Sequence, residues 1–340
     1  MNDQNSLLFT KEEREMIRKY SSEIASKLKR LLRNHYNAIE KSEDVIEGFF
    51  NHPRILQIET IAACNAKCIM CPTPGIKRER RIMDDWLFKK IIDDCIELKP
   101  RMIWPFLNGE PFLDPKIFSR IEYIEKTLPG QQLGIFTNAS LLNEDKIRRL
   151  FDYHNIKWLH ISINAASKET YERIMSLNYK RLLQNMEFIL KYNKNTFIEV
   201  SFVVIDENKH EIEKFNKLWK DSVGNVEFRG LGNWAGKLDI NIEGYGNHAN
   251  KLIRKIIDIM VPPLPCTWQI MNMFILSNGK VCHCCGDSEG EFIVGDVKRM
   301  NLTNIWKSNL NKSLRYKHLY GTHIRDIEIC KRCIRSPVKL

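Results

Sequence analysis

Short β-rich runs alternate with helical stretches between residues 55 and 231, and this alternation constrains the fold more than any other feature. Strands are predicted at 55–60, 102–107, 132–137, 158–163, 197–205 and 226–229. Helical patterns lie between them, near 84–98, 115–127, 143–151, 167–191 and 210–220. The pattern predicts an α/β fold of parallel strands with crossover helices, whose functional groups gather where the strands end. Six strand-led units are fewer than a closed eightfold barrel needs.

Different patterns flank this region on both sides. The spacing of apolar residues in 11–33 predicts an amphipathic helix, which we assign to an N-terminal helical extension. Near the other end, the Asn278-Gly279 turn predicts a β-hairpin of 271–276 with 280–284, and a helix is predicted near 301–318. We therefore predict a helical extension, a core, a Gly-, Asn- and Pro-rich linker and a small α+β module, at 1–50, 51–231, 232–262 and 263–340 respectively.

Cysteine is abundant in this chain, with ten residues, while the 43% hydrophobic content is ordinary for a globular protein. There is no apolar run of 18 residues and no N-terminal secretory signal, so we expect a cytoplasmic protein with no membrane partner. In that reducing compartment, abundant cysteine indicates metal or redox chemistry rather than disulfides. Nine cysteines lie in two groups, and Cys95, alone in a predicted helix, is expected in the core.

The formal net charge of +11 favours an anionic partner, but the basic residues are spread along the chain. The only dense basic run, 77–81, contains a glutamate and no aromatic residue. We interpret this run as a solvated loop, and nucleic acid is therefore not the expected partner.

The first cysteine group, Cys64, Cys68 and Cys71, has CxxxCxxC spacing directly after the first predicted strand. Three thiolates on a short loop can hold one corner of an iron–sulfur cube, which leaves one iron open to a substrate or cosubstrate. A structural zinc site or buried free thiols are the alternatives, although no nearby His or Cys supplies a fourth zinc ligand.

This cysteine loop resembles the hallmark of the radical S-adenosylmethionine superfamily. Three further segments, each after a predicted strand, resemble family motifs: Asn108-Gly109-Glu110-Pro111, Thr137-Asn138 and Ser162-Ile163-Asn164. The resemblance implies a partial (β/α)6 barrel that binds S-adenosylmethionine at the open iron of a [4Fe–4S] cluster. It also implies reductive cleavage of that cosubstrate to methionine and a 5′-deoxyadenosyl radical.

The resemblance also assigns roles to residues. It makes Cys64, Cys68 and Cys71 the cluster ligands. It implies that S-adenosylmethionine is bound by a set of short polar residues, a glycine and one methionine, namely Asn108, Gly109, Glu110, Thr137, Asn138, Ser162, Asn164 and Met70. Glu110 would hold the methionyl ammonium, and Met70 would pack near the adenine. Capping of the following helices is the structural alternative for the short polar residues.

The second cysteine group offers four thiols for a metal centre, Cys266, Cys284, Cys330 and Cys333. Their spacing permits either a fully ligated [4Fe–4S] cluster or a structural zinc. Resemblance of 279–306 to SPASM/Twitch extensions favours one auxiliary [4Fe–4S] cluster. Cys282 is predicted on the same strand face as Cys284 and could replace it as a ligand, with Cys285 on the opposite face. Cys282 and Cys285 are also the candidate catalytic hydrogen donors to a substrate radical.

We thus predict a radical enzyme that abstracts hydrogen from a carbon of a small polar substrate, such as a sugar or aminocyclitol, with net oxidation or epimerisation. A flavodoxin or ferredoxin is the expected external one-electron reductant. One alternative is a maturase that epimerises or cross-links a ribosomally made peptide. An alternative from another class is a non-catalytic zinc or iron–sulfur protein that binds nucleic acid.

Overall fold

The computed structural model describes residue 15 and residues 51–238, 266–320 and 326–333. The predicted N-terminal helix, apart from residue 15, and most of the predicted linker lie outside the described residues. No helix among the described parts of the chain is long and apolar enough to cross a membrane.

Six parallel strands form the first part of the sheet, and they correspond to the six predicted strands. They are β1 (Ile55–Ile58), β2 (Met102–Trp104), β3 (Gln132–Thr137), β4 (Ile156–Ser162), β5 (Phe197–Val204) and β6 (Asn225–Gly230). Each strand pairs with its neighbour in sequence, as β-α-β crossovers require. Within the described residues β6 pairs only with β5, so the sheet is an open partial barrel.

Six helices connect these strands: α1 (Asp85–Leu98), α2 (Ile117–Thr127), α3 (Glu144–Asp152), α4 (Lys168–Met175), α5 (Tyr179–Tyr192) and α6 (Ile212–Trp219). The single helix predicted at 167–191 is two helices, α4 and α5. Ser176 ends α4 in the left-handed region at φ 56°, and the Asn178 side chain caps α5 by accepting from the Arg181 N–H.

The two faces of the sheet bury different side chains, because successive strand residues point to opposite sides. Leu56, Ile103 and Ile135 belong to the main apolar core that packs against the helices. Trp104 and Phe136 lie in a separate aromatic cluster on the other face. Gly134 makes room for that cluster, because a Cβ there would lie 2.6 Å from Trp104 Nε1.

The C-terminal module extends the same sheet. β7 (Asn272–Ile275) pairs in parallel with β1, and β8 (Lys280–Cys282) and β9 (Ile293–Asp296) follow in antiparallel order. The module also contains α7 (Thr267–Met271), α8 (Leu302–Trp306), α9 (Asn309–Tyr320) and α10 (Glu328–Arg332). The predicted hairpin is therefore present as β7 and β8. The sequence pattern did not predict β9 or the break between α8 and α9.

A buried ion pair of the core, Arg78 with Glu59, is hydrogen-bonded to this module. The Arg78 guanidinium bonds both carboxylate oxygens of Glu59, and Glu59 also accepts from the Ser277 N–H at 2.9 Å. Arg78 Nε donates to the Ser288 carbonyl at 2.6 Å. The interpretation of 77–81 as a solvated loop is therefore wrong for Arg78, whose side chain is 11% exposed because it neutralises a buried carboxylate.

Candidate active site and C-terminal metal centre

The first cysteine loop lies between β1 and α1, at the C-terminal end of β1. Backbone bonds hold it to the end of α4: Lys67 N–H donates to the Met175 carbonyl at 3.2 Å and Ile69 N–H to the Ile174 carbonyl at 3.0 Å. A second anchor comes from Trp234, whose indole N–H donates to the Met70 carbonyl at 3.1 Å. The loop is therefore held on two sides through its own backbone N–H and carbonyl groups.

The three thiols of this loop are partly buried and have weak partners. Cys64 Sγ accepts from the Ala66 N–H at 3.4 Å, Cys68 Sγ contacts Met175 Sδ at 3.3 Å, and Cys71 Sγ donates to Thr73 Oγ1 at 3.2 Å. Burial raises the pKa of the Cys64 thiol to about 11 and also raises the pKa of Cys68 and Cys71. Three thiolates here need a bound cation to stabilise them, so the donor set fits an iron centre.

Gly109 brings the loop after β2 against the cysteine loop. Its φ is +123°, and a Cβ would lie 2.6 Å from the carbonyl oxygens of both Ile61 and Ala63. The neighbouring Glu110 N–H donates to the Ala63 carbonyl at 2.9 Å. The position therefore requires glycine, both for its backbone conformation and for the close approach.

Glu110 is the centre of a buried hydrogen-bond network and is 2% exposed. Its carboxylate accepts from Thr137 Oγ1 at 2.7 Å, from the Asn138 N–H at 2.8 Å and from the Phe112 N–H at 3.2 Å. Burial raises its pKa to about 7, although these bonds act in the opposite direction. The three donors are neutral, so a buried carboxylate here fits a cationic ligand group such as an ammonium.

Two asparagines complete this side of the site. Asn108 is 3% exposed, and its Nδ2 has no hydrogen-bond partner among the described residues. An orphaned buried donor beside Glu110 fits the carboxylate of an amino-acid ligand. Asn138 faces the cysteine loop, since its Nδ2 donates to Asn65 Oδ1 at 3.0 Å and lies 3.9 Å from Cys64 Sγ. The structure thus brings Cys64, Glu110, Thr137 and Asn138 into one contiguous group.

Three other candidates occupy different surroundings. Asn164 has φ 64°, and its side chain accepts from the Val203 N–H at 2.8 Å and donates to Met175 Sδ at 3.3 Å. Ser162 ends β4 opposite Ser201. Met70 is buried in the main core, next to the third cysteine. Asn164 therefore stabilises the ends of β4 and β5 in this structure.

The sequence analysis missed a polar network on the aromatic face of the sheet. His160 Nδ1 lies 2.8 Å from Glu199 Oε1, and His160 Nε2 lies 2.9 Å from Ser201 Oγ. Phe136 stacks on the imidazole with ring centroids 4.5 Å apart. Alternation along β4 and β5 places all three polar residues on one face, which is the signal that could have identified them.

Cys282 and Cys285, the candidate hydrogen donors, pack in one small apolar cluster that includes Leu107. Cys282 is 2% exposed and packs with Leu107, directly before Asn108, and Cys285 packs against the same small apolar cluster. The predicted alternation is therefore wrong here, because β8 ends at Cys282 and the backbone turns before Cys285. Cys284 Sγ accepts from the Gly286 N–H at 3.3 Å. The contact with Cys285 and burial raise the pKa of the Cys284 thiol, although the bond from Gly286 acts in the opposite direction.

Two buried histidines accompany Cys330 in the C-terminal module. His283 Nε2 and His318 Nε2 are 3.0 Å apart, and each lies 3.6 Å from Cys330 Sγ. These three residues form one of the two groups in the described residues whose ligand atoms are close enough for a metal ion. Burial lowers the pKa of His283 to about 4, so its imidazole is neutral. No sequence argument had assigned a role to either histidine.

Two protein-family models match the chain. The Radical SAM superfamily model matches residues 58–218, and the model of the SPASM iron–sulfur cluster-binding domain matches residues 266–334. The first match contains the loops of Cys64 and Glu110, and the second contains the hairpin and Cys330.

Curated relatives match part of the chain. A tungsten-containing aldehyde ferredoxin oxidoreductase cofactor-modifying protein of Pyrococcus furiosus is 26% identical over 170 residues, which is 47% of this chain and 46% of that protein. An uncharacterized protein of Treponema pallidum is 23% identical over 246 residues, or 66% of this chain and 61% of that protein. The match thus spans about half to three fifths of these relatives.

Solved structures share the fold over a larger part of the chain. BtrN in complex with AdoMet and 2-DOIA has a TM-score of 0.56 at 17% identity, covering 84% of this chain and 95% of BtrN. Streptococcus suis SuiB bound to precursor peptide SuiA has a TM-score of 0.61 at 16% identity, covering 83% of this chain and 70% of SuiB. Native anSMEcpe with bound AdoMet has a TM-score of 0.59 at 17% identity, covering 78% of this chain and 83% of anSMEcpe.

Proposed function

The chain belongs to the radical S-adenosylmethionine superfamily with a C-terminal SPASM-type domain, and from this premise we propose that it oxidises a small polar substrate by abstracting hydrogen from carbon. Its cofactors are S-adenosylmethionine, the radical SAM [4Fe–4S] cluster and an auxiliary iron–sulfur cluster. When bound, these groups supply the electron and the 5′-deoxyadenosyl radical.

The observation that carries the proposal is the contact between the Glu110 network and the cysteine loop. Cys64, Cys68 and Cys71 would hold the first cluster, and Asn138 lies between Cys64 and Glu110. Glu110 would accept from the ammonium of the cosubstrate, while Asn108 would donate its unpartnered Nδ2–H to the carboxylate. Both ends of an amino acid would thus be held beside the cluster.

The polar network on the aromatic face of the sheet supports a small polar substrate. His160, Glu199 and Ser201 form this hydrogen-bonded group among large aromatic side chains. The structural likeness to BtrN, whose structure contains 2-DOIA, agrees with this class. A peptide substrate is the second candidate, favoured by the likeness to SuiB, whose structure contains precursor peptide SuiA.

We propose Cys266, Cys284, Cys330 and Cys333 as ligands of a single auxiliary cluster, with Cys282 as the alternative to Cys284. The predicted division into 1–50, 51–231, 232–262 and 263–340, the cytoplasmic location and the flavodoxin or ferredoxin reductant also remain proposals.

Anaerobic reconstitution with iron and sulfide tests the enzyme class. We expect two [4Fe–4S] clusters and reductive cleavage of S-adenosylmethionine to methionine and 5′-deoxyadenosine, detected by chromatography. Cys95→Ala is the control for variants of the proposed ligand cysteines, since Cys95 is a core cysteine outside both groups. Two bound zinc atoms, no visible absorption and no cleavage would instead establish the non-catalytic binding protein.

The fate of the substrate radical separates oxidation from epimerisation. For oxidation, the radical would lose one proton and pass one electron to the auxiliary cluster, and we expect Cys285→Ala to keep most turnover. For epimerisation, a thiol returns a hydrogen atom, so solvent deuterium enters the wild-type product at carbon. That incorporation, together with a Cys285→Ala variant that abstracts hydrogen but releases no product, would replace oxidation by epimerisation.

A further inference from the structure

His283, His318 and Cys330 bring three polar atoms to one point inside the C-terminal module. The two imidazole Nε2 atoms are 3.0 Å apart, and each is 3.6 Å from Cys330 Sγ. His283 is 3% exposed and His318 is 1% exposed, so bulk water does not separate these atoms. The contact therefore requires either a shared proton or a shared cation.

Three different elements position the group. His283 follows β8 and lies between Cys282 and Cys284, His318 is in α9, and Cys330 is in α10. Phe292 packs against the His283 ring with centroids 4.9 Å apart, and the Phe292 carbonyl accepts from the His283 N–H at 2.9 Å. The imidazole of His283 is thus held on its backbone side and on one ring side.

The surroundings of the other ring nitrogen of His283, Nδ1, distinguish a shared proton from a shared cation. An imidazole that binds a metal through Nε2 carries its proton on Nδ1, and ligating histidines almost always donate that proton to a neighbour. Nδ1 of His283 is buried and has no hydrogen-bond partner among the described residues. Metal binding would therefore leave a buried N–H donor unpaired, whereas a proton on Nε2 leaves only a lone pair there.

We propose that His283 donates its Nε2–H to the Cys330 thiolate, in competition with His318 as a second acceptor, and that this bond raises the reduction potential of the auxiliary cluster. The inference rests on the proposed role of Cys330 as a cluster ligand. A hydrogen bond to a ligating sulfur stabilises the reduced cluster, which carries more negative charge. A higher potential makes the centre a better electron acceptor, as net oxidation requires.

The test is a potentiometric titration of the reconstituted full chain, followed by electron paramagnetic resonance. Added S-adenosylmethionine changes the signal of the first cluster only, which identifies the auxiliary signal. We expect His283→Leu to lower the auxiliary potential at unchanged iron content, and His283→Gln, which keeps an N–H donor, to shift it less. His318→Leu should raise the potential, because the proton of His283 then belongs to Cys330 alone.

Controls separate this bond from packing and from metal binding. Phe292→Leu alters the packing of the His283 ring but keeps the imidazole N–H of His283, and should leave the potential of the auxiliary cluster close to that of the wild type. Equal negative shifts in His283→Leu and His318→Leu, or no shift in either, would overturn the hydrogen-bond assignment. The assignment would also be overturned if the wild type bound a stoichiometric zinc ion that both variants lose, or if either variant lost cluster iron. Both results would indicate that the histidines are metal ligands. Failure of the wild type to cleave S-adenosylmethionine refutes the proposed function independently of these potentials.

Discussion

Replacing Glu110 by Gln removes one negative charge from the proposed cosubstrate site and keeps the size of the side chain. Glu110 accepts three hydrogen bonds from neutral donors, at 2.7, 2.8 and 3.2 Å, and is 2% exposed. A charge-assisted bond to the ammonium of S-adenosylmethionine is worth about 1.5–3 kcal/mol. Its loss should weaken binding roughly 10- to 100-fold, because about 1.4 kcal/mol corresponds to a factor of ten.

The pH dependence provides a second measure of the same interaction. Burial raises the Glu110 pKa to about 7 in the ligand-free protein, so the carboxyl group becomes neutral as the pH falls below that value. An α-amino group has an ordinary pKa of about 7.7–8.0, so the cosubstrate ammonium is mostly charged near neutral pH and fully charged at lower pH. Wild-type affinity should therefore fall as the pH is lowered from 7.5 to 5.5, approaching about tenfold per unit below the pKa. The affinity should level off between the pKa of Glu110 and that of the ammonium, and fall again when the ammonium loses its proton.

Equilibrium dialysis of S-adenosylmethionine against the reconstituted protein under anaerobic conditions measures both effects. Glu110→Gln should bind weakly and nearly independently of pH in this range. Glu122→Gln is the matched control, since Glu122 is on the surface and pairs with Arg149. Wild-type affinity and wild-type pH dependence in Glu110→Gln would refute the assignment of Glu110 to the ammonium.

Four further changes test other parts of the structure. Alanine at all three residues of the first cysteine group should abolish S-adenosylmethionine cleavage and remove one cluster's iron while the other remains; full cleavage would contradict the ligand assignment of Cys64, Cys68 and Cys71. Cys333→Ala should lose iron and lower the melting temperature, because a small module depends on its metal for folding, and unchanged iron would reject this role. Gly109→Ala should lower the free energy of unfolding by about 1–3 kcal/mol through overpacking and lower the iron content of the first cluster. Gly75→Ala should do neither, because no atom lies within 4 Å of its Cβ position. Equal iron content in the two variants would oppose the close-approach argument. Arg78→Leu should destabilise the protein by about 3 kcal/mol in chemical unfolding, because it leaves Glu59 buried without its cation, and an unchanged unfolding midpoint would mean that water replaces the guanidinium.

The sequence predicted the core of the fold well because each signal there is local. All six parallel strands were predicted from short apolar runs, and the turn at Asn278-Gly279 correctly predicted the first hairpin of the module. The pairing of β7 with β1 was not predicted, since nothing in either run specifies a partner so distant in sequence. Periodicity also extended one helix through Ser176, whose left-handed backbone separates two helices.

The candidate site was predicted in part for the same reason. Cys64 and Glu110 belong to compact motifs, so their neighbourhood could be inferred from the loops after β1 and β2. His283 and His318 meet only through tertiary packing and carry no spacing signal. Arg78 looked like one residue of a solvated basic run, because its buried partner Glu59 becomes visible only in three dimensions.

The pairing of β7 with β1 also affects how the chain folds and how it tolerates truncation. Ile55 and Asn272 are register partners roughly 200 residues apart in sequence, so this contact closes a very long loop and should form late in folding. Until then, β1 has an exposed edge whose four residues are all buried in the native sheet. Such an edge is a template for pairing with another chain. A fragment that ends before β7 therefore carries an aggregation-prone strand, and the C-terminal module acts as the cover of that edge.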